Sequence, residues 1–402
     1  MPVLAAIAVV CASGCDDRPA PPPRIEVDSA GVRIVTVDPL ASDAVCSLGD
    51  EPTLYLGDSE ESEEQWFSRV LGVARLSDGS VAVADDYSMQ VRIFDPSGAH
   101  VRSMGREGEG PGEFKRLWLM WRLPGDTLWV GDYRPWRYQV YSPAGEWIRT
   151  VTMDPVYLNP TMAGGVLANG ISINVRDERA RKRQDFSTPD KRHVEAHGPD
   201  GKLLGILATL RGRTFGQVDD GSLNYYLSPW YDASPSIDAE GRAIVIANGR
   251  DPEVRVLDDE MRLRLVVRWE EPRAEVTPAD IRKAREAERR RALEDGEIGP
   301  YEEANLSPKR PAADVVPAVH SVRAGVDGSV WVYRYRSNGA VAGSRQMVLA
   351  PDGEFVCHLP ATKDNYAIWE AGADYVLGVH TTELGVQHVA MYDLERPAPP
   401  PG

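Results

Sequence analysis

The sequence predicts an all-β fold, a six-bladed β-propeller with four-stranded antiparallel blades, an N-terminal strand closing the last blade and one inserted surface helix. Three observations lead there. A strand-like apolar run breaks at a tight glycine turn and resumes six times along the 402 residues. In most copies a second hairpin with its own turn follows, the pattern of small sheets arrayed radially. The last copy stops one strand short, while the amino end carries a strand to spare.

Taken in chain order, Met1 to Val10 is apolar and Ala12-Ser-Gly-Cys15 places small residues directly before a cysteine. This resembles a bacterial lipoprotein signal, which implies that residues 1–14 are a signal peptide and that Cys15 is the lipidated residue. Residues 15–24 then read as a proline-rich, semi-rigid tether. The apolar stretch is too short to cross a bilayer as a helix. Residues 25–396 carry the propeller, and 397–402 a disordered tail.

Asp28-Ser-Ala-Gly-Val-Arg-Ile-Val35 mirrors the turn and outer strand of Asp95-Pro-Ser-Gly-Ala-His-Val-Arg102. It is therefore expected to supply the missing strand of the last blade, so that the ring closes without open edges. The clearest copy is the first. Gly72 to Asp85 is a hairpin closed by Asp78-Gly79, and Gln90 to Met104 is a second closed by Pro96-Ser-Gly98, with proline fixing one φ and glycine permitting a positive one.

The first turn recurs at Gly125, Gly170, Gly241, Gly328 and Gly372, at intervals of 46, 45, 71, 87 and 44 residues. The usual propeller period is about 45 residues, so the two long intervals hold insertions. One of these, 277–296, changes period and reads as a helix. Thr277 caps it, Pro278 suits its first position, Asp280 completes the capping box and Gly296 can end it. A second insertion, Arg176 to Lys191, is highly charged without apolar periodicity and reads as a long loop. The third, Arg211 to Trp230, carries Phe215, Tyr225, Tyr226 and Trp230, which can bind a ligand or plug the opening beside them. Both tight turns of a blade fall on one face, so all three insertions fall on the other, where a ligand site is expected.

Val81-Ala-Val-Ala-Asp85, Val91-Arg-Ile-Phe-Asp95 and Gly105-Arg-Glu-Gly-Glu-Gly-Pro-Gly-Glu-Phe114 resemble the six-bladed propellers related to NHL repeats. The resemblance implies a six-bladed ring, commonly exported or lipid-anchored in bacteria, with no assigned activity in many members. The glycines of 105–112 are read as a structural link between blades, because no GKS or GKT follows and no helix begins there.

A formal charge of −16 argues against a nucleic-acid partner, whose phosphates must be neutralised by Lys and Arg. The basic runs at Arg179 to Arg183 and Arg282 to Arg291 read as solvated surface. Cys46 and Cys357 remain in the folded part and are read as two buried free thiols, with one disulfide as the alternative. There is no G-x-S-x-G elbow, no H-E-x-x-H and no paired C-x-x-C. His193 and His197, four apart on a strand, stand about 13 Å apart and cannot share one zinc ion.

Candidate ligand-binding residues are then those at the start of each inner strand, where strands converge on the channel, together with the aromatic loop. They are Arg69, Trp118, Trp121, Asn159, Tyr225, Trp230, Asp232, His320 and Tyr366. The leading expectation is a noncatalytic, exported, lipid-anchored monomer of the cell envelope that binds a protein, peptide or glycan through the loop-bearing face, without a cofactor or nucleic acid. The alternative is a lactonase-like hydrolase or lyase that uses Asp232, His320 and Asn159 with a divalent cation in the channel, where the metal would polarise a carbonyl.

Overall fold

A computed structural model describes residues 25–397 except 58–61, 134–135, 156–161, 180–184, 219–224, 272, 295–297, 336–345, 361, 363–365 and 383. The signal peptide, the tether with Cys15, Asn159, Gly296 and all of the tail but Pro397 fall outside the described residues.

The described chain begins with a hairpin, β1 (Ile25–Ser29) and β2 (Val32–Val37), turned at Ala30-Gly31, where Asp28 accepts the Gly31 N–H at 3.1 Å. Two short strands follow, β3 (Ser47–Leu48) and β4 (Leu54–Leu56). The first repeat is the meander β5 (Val70–Arg75), β6 (Val81–Asp85), β7 (Gln90–Phe94) and β8 (His100–Met104). Its two turns place Gly79 at φ 87° and Gly98 at φ 85°, as the sequence requires. The second repeat is β9 (Leu117–Leu123), β10 (Thr127–Asp132), β11 (Arg137–Tyr141) and β12 (Trp147–Thr152).

The third group is β13 (Met162–Val166), β14 (Ser172–Glu178), β15 (Asp185–His197) and β16 (Leu203–Gln217), with β17 (Tyr226–Leu227) on the end of β16. The fourth is β18 (Ser236–Glu240), β19 (Ala243–Ala247), β20 (Glu253–Leu257) and β21 (Leu263–Trp269). Two helices, α1 (Pro278–Glu294) and α2 (Pro300–Asn305), precede β22 (Val319–Ala324), β23 (Val330–Arg334), β24 (Gln346–Leu349) and β25 (Phe355–Leu359). The chain finishes on β26 (Tyr366–Ala371), β27 (Tyr375–Thr381) and β28 (Gln387–Glu395).

The strands form three four-stranded sheets, one five-stranded sheet and one sheet of eleven strands. Four discrete blades therefore stand where the sequence predicts six. The third and fourth expected repeats are each antiparallel meanders, but their inner strands meet in a parallel pairing of Gly165 with Ala239 that merges them. Gly165 makes this approach possible: at φ 131° a Cβ on it would lie 2.1 Å from the Ala239 carbonyl oxygen. Apolar packing still divides the molecule into sectors. Six buried clusters among the described residues each lie between successive strand groups, and the last joins Leu54, Leu56, Leu377 and Val389 to Val73, Val83 and Phe94 of the first repeat.

That last cluster closes the ring, but with a different segment from the one expected. β28 pairs with β4, Val389 opposite Leu56, and its far end pairs with β3. Residues 28–35 instead belong to the β1–β2 hairpin, whose second strand lies parallel on the outer edge of β21, Val35 opposite Val267. Between these two anchors the amino-terminal segment crosses the outer strand of the next blade, where the Cys46 N–H donates to the His358 carbonyl at 2.9 Å and the His358 N–H to that of Ala44 at 2.8 Å. Cys46 and Cys357 are joined as a disulfide there, with Cα atoms 5.5 Å apart. The expectation of two free thiols is corrected: spacing could not show that the strap brings Cys46 onto β25.

The second insertion is also corrected. Most of residues 176–191 is strand, because β14, β15 and β16 extend past the blade as a ribbon, with Arg192 pairing Asp177 at 3.0 Å and Arg176 pairing Glu195 at 2.8 Å. Alternating charges on facing strands support that extension without an apolar face. The helix falls as predicted. Thr277 Oγ1 accepts the Asp280 N–H at 3.2 Å while Asp280 accepts the Thr277 N–H at 2.9 Å, a reciprocal cap. No helix among the described residues is long and apolar enough to cross a membrane.

Candidate functional site

Most of the described residues singled out at the strand starts make contacts within the protein. Asp85 and Asp132, each ending the second strand of its blade, clip the entry to the inner strand by accepting the N–H groups of Arg69 and of Lys115 and Arg116 at 2.9 to 3.0 Å. Arg69 then pairs with Asp86 at 3.2 Å and lies 5.9 Å from the Trp118 ring, which packs on Tyr133. Tyr366 is buried within its own blade, donating to the Ala390 carbonyl at 3.0 Å, and does not face the channel mouth. His320 stands edge-on to Tyr335, with ring centroids 5.1 Å apart.

The aromatic loop packs against the helical insertion. Arg310 lies 3.8 Å over the Trp230 ring, donates to the Ser228 carbonyl at 2.8 Å and reaches Asn305 Oδ1 at 2.6 Å, while Tyr225 meets Tyr301 edge-on. Burial is the first cause that lowers the Arg310 pKa, to about 10, a sign that this guanidinium works inside a packed joint. Asp232 is equally committed, accepting from the Thr214 N–H at 2.6 Å and from Arg211 at 3.4 Å. Arg310→Ala should cost about 2 to 3 kcal/mol, since it strips both the stacked cation and the partner of three acceptors. Hydrogen exchange should then rise in residues 225–231 and 300–312. Unchanged protection there would show that the joint does not hold the loop.

One cavity lies at the other end of the inner strands. It has a volume of about 270 Å³ and is lined from all six, including Val73, Trp121, Ala163, Glu240, Arg323 and Glu370. The lining positions sit toward the carboxyl ends of β9, β18, β22 and β26, beside the tight turns. This cavity is not on the loop-bearing face, where a ligand site is expected from the sequence. Of the predicted residues that are described, only Trp121 lines this space, and the others are not brought together around it.

Charge is concentrated here. Asp238 accepts the Ala324 N–H at 2.8 Å. Glu370 uses Oε1 for both the Arg75 N–H at 3.1 Å and the Tyr375 hydroxyl at 2.6 Å. Arg122 reaches Asp126 at 3.5 Å, and Arg323 donates to the Trp369 carbonyl. Glu240 has no ion pair within reach among the described residues. Each of the three carboxylates lies deep in the ring, yet keeps part of its surface open to the cavity. Desolvation, followed by the charges of Glu370 and Asp238, lifts the Glu240 pKa to about 8, with Arg122 pulling weakly the other way. Desolvation also raises Asp238 and Glu370. No group of three His, Cys, Asp or Glu among the described residues is placed to hold a metal ion.

The missed residues had a signal: Asp238-x-Glu240, Arg122, Arg323 and Glu370 are charges set within apolar inner strands, a few residues before a turn glycine or its equivalent. Period-2 alternation puts one face of each such strand on the channel.

The course of the chain is that of a ring of small antiparallel sheets around this cavity. The chain is a β-propeller. No protein-family model matches it, and no curated protein matches its sequence. A protein of Bacteroides fragilis described as exported is 10% identical, covers 88% of this chain and 96% of its own, and has a TM-score of 0.46. A member of the DUF4221 family from Bacteroides vulgatus is also 10% identical, with 88% and 99% covered and a TM-score of 0.49. Regucalcin from Agrobacterium tumefaciens, a calcium-binding protein, is 8% identical, with 88% and 97% covered and a TM-score of 0.39. Likenesses at this level carry no argument about activity, so the site is read from its own residues.

Proposed function

We propose that this propeller is an exported binding protein that holds a small polar ligand, or the end of a peptide or glycan, in the turn-side cavity of its channel. The observation that carries the reading is the single cavity wall built by all six inner strands, with Asp238, Glu240 and Glu370 set against Arg122 and Arg323. Concave space with convergent polar groups and perturbed carboxylates is where binding energy and specificity can be concentrated. The loop-bearing face is less suited, because Tyr225, Trp230 and Asp232 are already engaged within the protein.

The same proposal takes the ring as six-bladed and related to NHL-repeat propellers, supported by the six interblade clusters, with residues 1–14 as signal, Cys15 as lipid anchor, 15–24 as tether and a monomeric propeller over 25–396 at the cell envelope. The Cys46–Cys357 bond supports export, since disulfides persist in oxidising compartments. Nucleic acid is no partner in this reading, and no cofactor is called for. A channel-sited hydrolase or lyase is the second reading, favoured by Glu240, a carboxyl held protonated near neutral pH and able to donate a proton.

Native mass spectrometry of the purified protein after incubation with the low-molecular-mass fraction of a bacterial extract tests the binding reading. The wild type should retain a compound that Arg122→Ala and Glu370→Ala fail to retain. Retention indifferent to those substitutions but lost in Arg69→Ala would place binding on the loop-bearing face instead.

A further inference from the structure

The cavity's chemistry narrows what can enter, on the premise that the cavity is the binding site. We propose that it accepts a neutral, hydroxyl-rich guest, the end ring of a sugar or a comparable polyol, held between the carboxylates and guanidiniums and laid against Trp121 and Trp369.

The lining presents acceptors and donors in mixed array. Glu370 has Oε1 occupied twice, and Oε2 makes no hydrogen bond among the described residues. Glu240 offers its carboxyl group without an ion pair. On the donor side, Arg122 and Arg323 line the same wall, Arg122 reaching Asp126 and Arg323 the Trp369 carbonyl through one terminal nitrogen each, which leaves further guanidinium N–H groups to donate. A hydroxyl donates once and accepts twice, so a polyol can give to Glu240 and Glu370 while taking from the guanidiniums.

Charged guests meet a penalty that a polyol escapes. A compact cation entering to reach Glu240 also faces Arg122 and Arg323, and Arg75 lies close behind, its guanidinium 4.6 Å over the Tyr375 ring. An anion entering to reach the arginines faces Asp238 and Glu370. Like charges at short range in a poorly solvated site are costly, and here each sign of guest meets its own kind. The protein's charges largely offset one another within the wall, so a neutral guest disturbs least.

The apolar part of the wall fits the same guest. Trp121 and Trp369 line the space together with Val73, Ala163 and Ala324. Sugars and cyclic polyols carry C–H faces beside their hydroxyl rims, so one side can pack on an indole while the rim hydrogen-bonds. A volume of about 270 Å³ is far above the space one water needs. Fully apolar guests would leave the carboxylates and arginines desolvated without partners.

Isothermal titration of the purified protein against a defined panel tests this. The panel holds neutral polyols (glucose, galactose, N-acetylglucosamine, myo-inositol), cations (putrescine, arginine amide) and anions (citrate, glucuronate). A neutral member should bind at submillimolar concentration, and Trp121→Ala, Arg122→Ala and Glu370→Gln should each weaken it at least tenfold. Arg69→Ala on the opposite face should leave it unchanged. A thermal transition recorded for every variant guards against loss of fold, and the near-isosteric Glu370→Gln carries the test where Trp121→Ala or Arg122→Ala fails to fold. Binding of only the charged members, lost in the same channel variants, overturns the hydroxyl-rich class while leaving the cavity as the site. Binding that ignores the channel variants, or no binding by any member, overturns both.

Discussion

Replacing Cys46 or Cys357 by serine is expected to lower the stability of the protein by about 4 to 5 kcal/mol, the largest effect of any single exchange considered. The bond spans a sequence separation of 311 residues, and the entropy removed from the unfolded chain grows with the logarithm of the loop it closes. Both cysteines are fully buried, so the variant also buries a hydroxyl in place of sulfur in a cluster formed by Leu359, Tyr366 and Leu394. More is lost than one cross-link. The segment it pins runs from the parallel pairing of β2 on β21 to the pairing of β4 on β28, and so couples three neighbouring blades to the closure of the ring. Urea unfolding of wild type and Cys46→Ser measures the difference. A change below about 1 kcal/mol would mean that the strap is held by its strand pairings alone.

Glu240→Gln is expected to act in the opposite direction and to depend on pH. The folded protein keeps Glu240 protonated up to about pH 8, whereas the unfolded chain releases that proton near 4.5. Folding therefore binds a proton between those values, and stability contributed by the neutral group is fully present below pH 4.5 and lost as pH rises through 8. Glutamine keeps the shape and cannot ionise. The variant should match wild type at pH 4.5 and exceed it by about 3 kcal/mol at pH 9, after allowing for hydration from the cavity side. Asp238 and Glu370 are raised as well, so a residual slope is expected to persist in the variant. Denaturant midpoints collected from pH 4.5 to 9 give the comparison. Parallel curves for the two proteins would show that Glu240 is ionised throughout and that the cavity is well hydrated.

The disulfide and Glu240 mark where sequence reasoning stops. The turns were legible because a tight hairpin needs a positive φ, and Gly79 and Gly98 announce it locally. The α1 cap was legible for the same reason, since Thr277 and Asp280 satisfy each other within four residues. Closure by Leu54–Leu56 was not: three residues carry no period, and the longer match at 28–35 drew the reading to a hairpin that docks elsewhere. The merging of two repeats through Gly165 and Ala239, like the contact between Cys46 and Cys357, exists only once distant segments are folded together.

The candidate site divides along the same line. Trp230, Tyr225 and Asp232 were found as unusual residues in an unusual loop, but their chemistry is spent on Arg310, Tyr301 and Thr214. The inward charges at Arg122, Asp238, Glu240, Arg323 and Glu370 were overlooked because each looks ordinary within its own strand. Only the radial array makes them one constellation. Register decides it: a shift of one residue would send every one of these side chains into a blade interface.

The most direct measurement is a crystal structure of the protein grown with the tightest-binding neutral member of the panel. The ligand should lie in the cavity between Trp121 and Trp369, with hydroxyls on Glu240 and Glu370 and with Arg122 or Arg323 donating to it. A ligand seated instead among Arg69, Trp118 and His320 on the opposite face, with the turn-side cavity unchanged, would refute the cavity as the binding site.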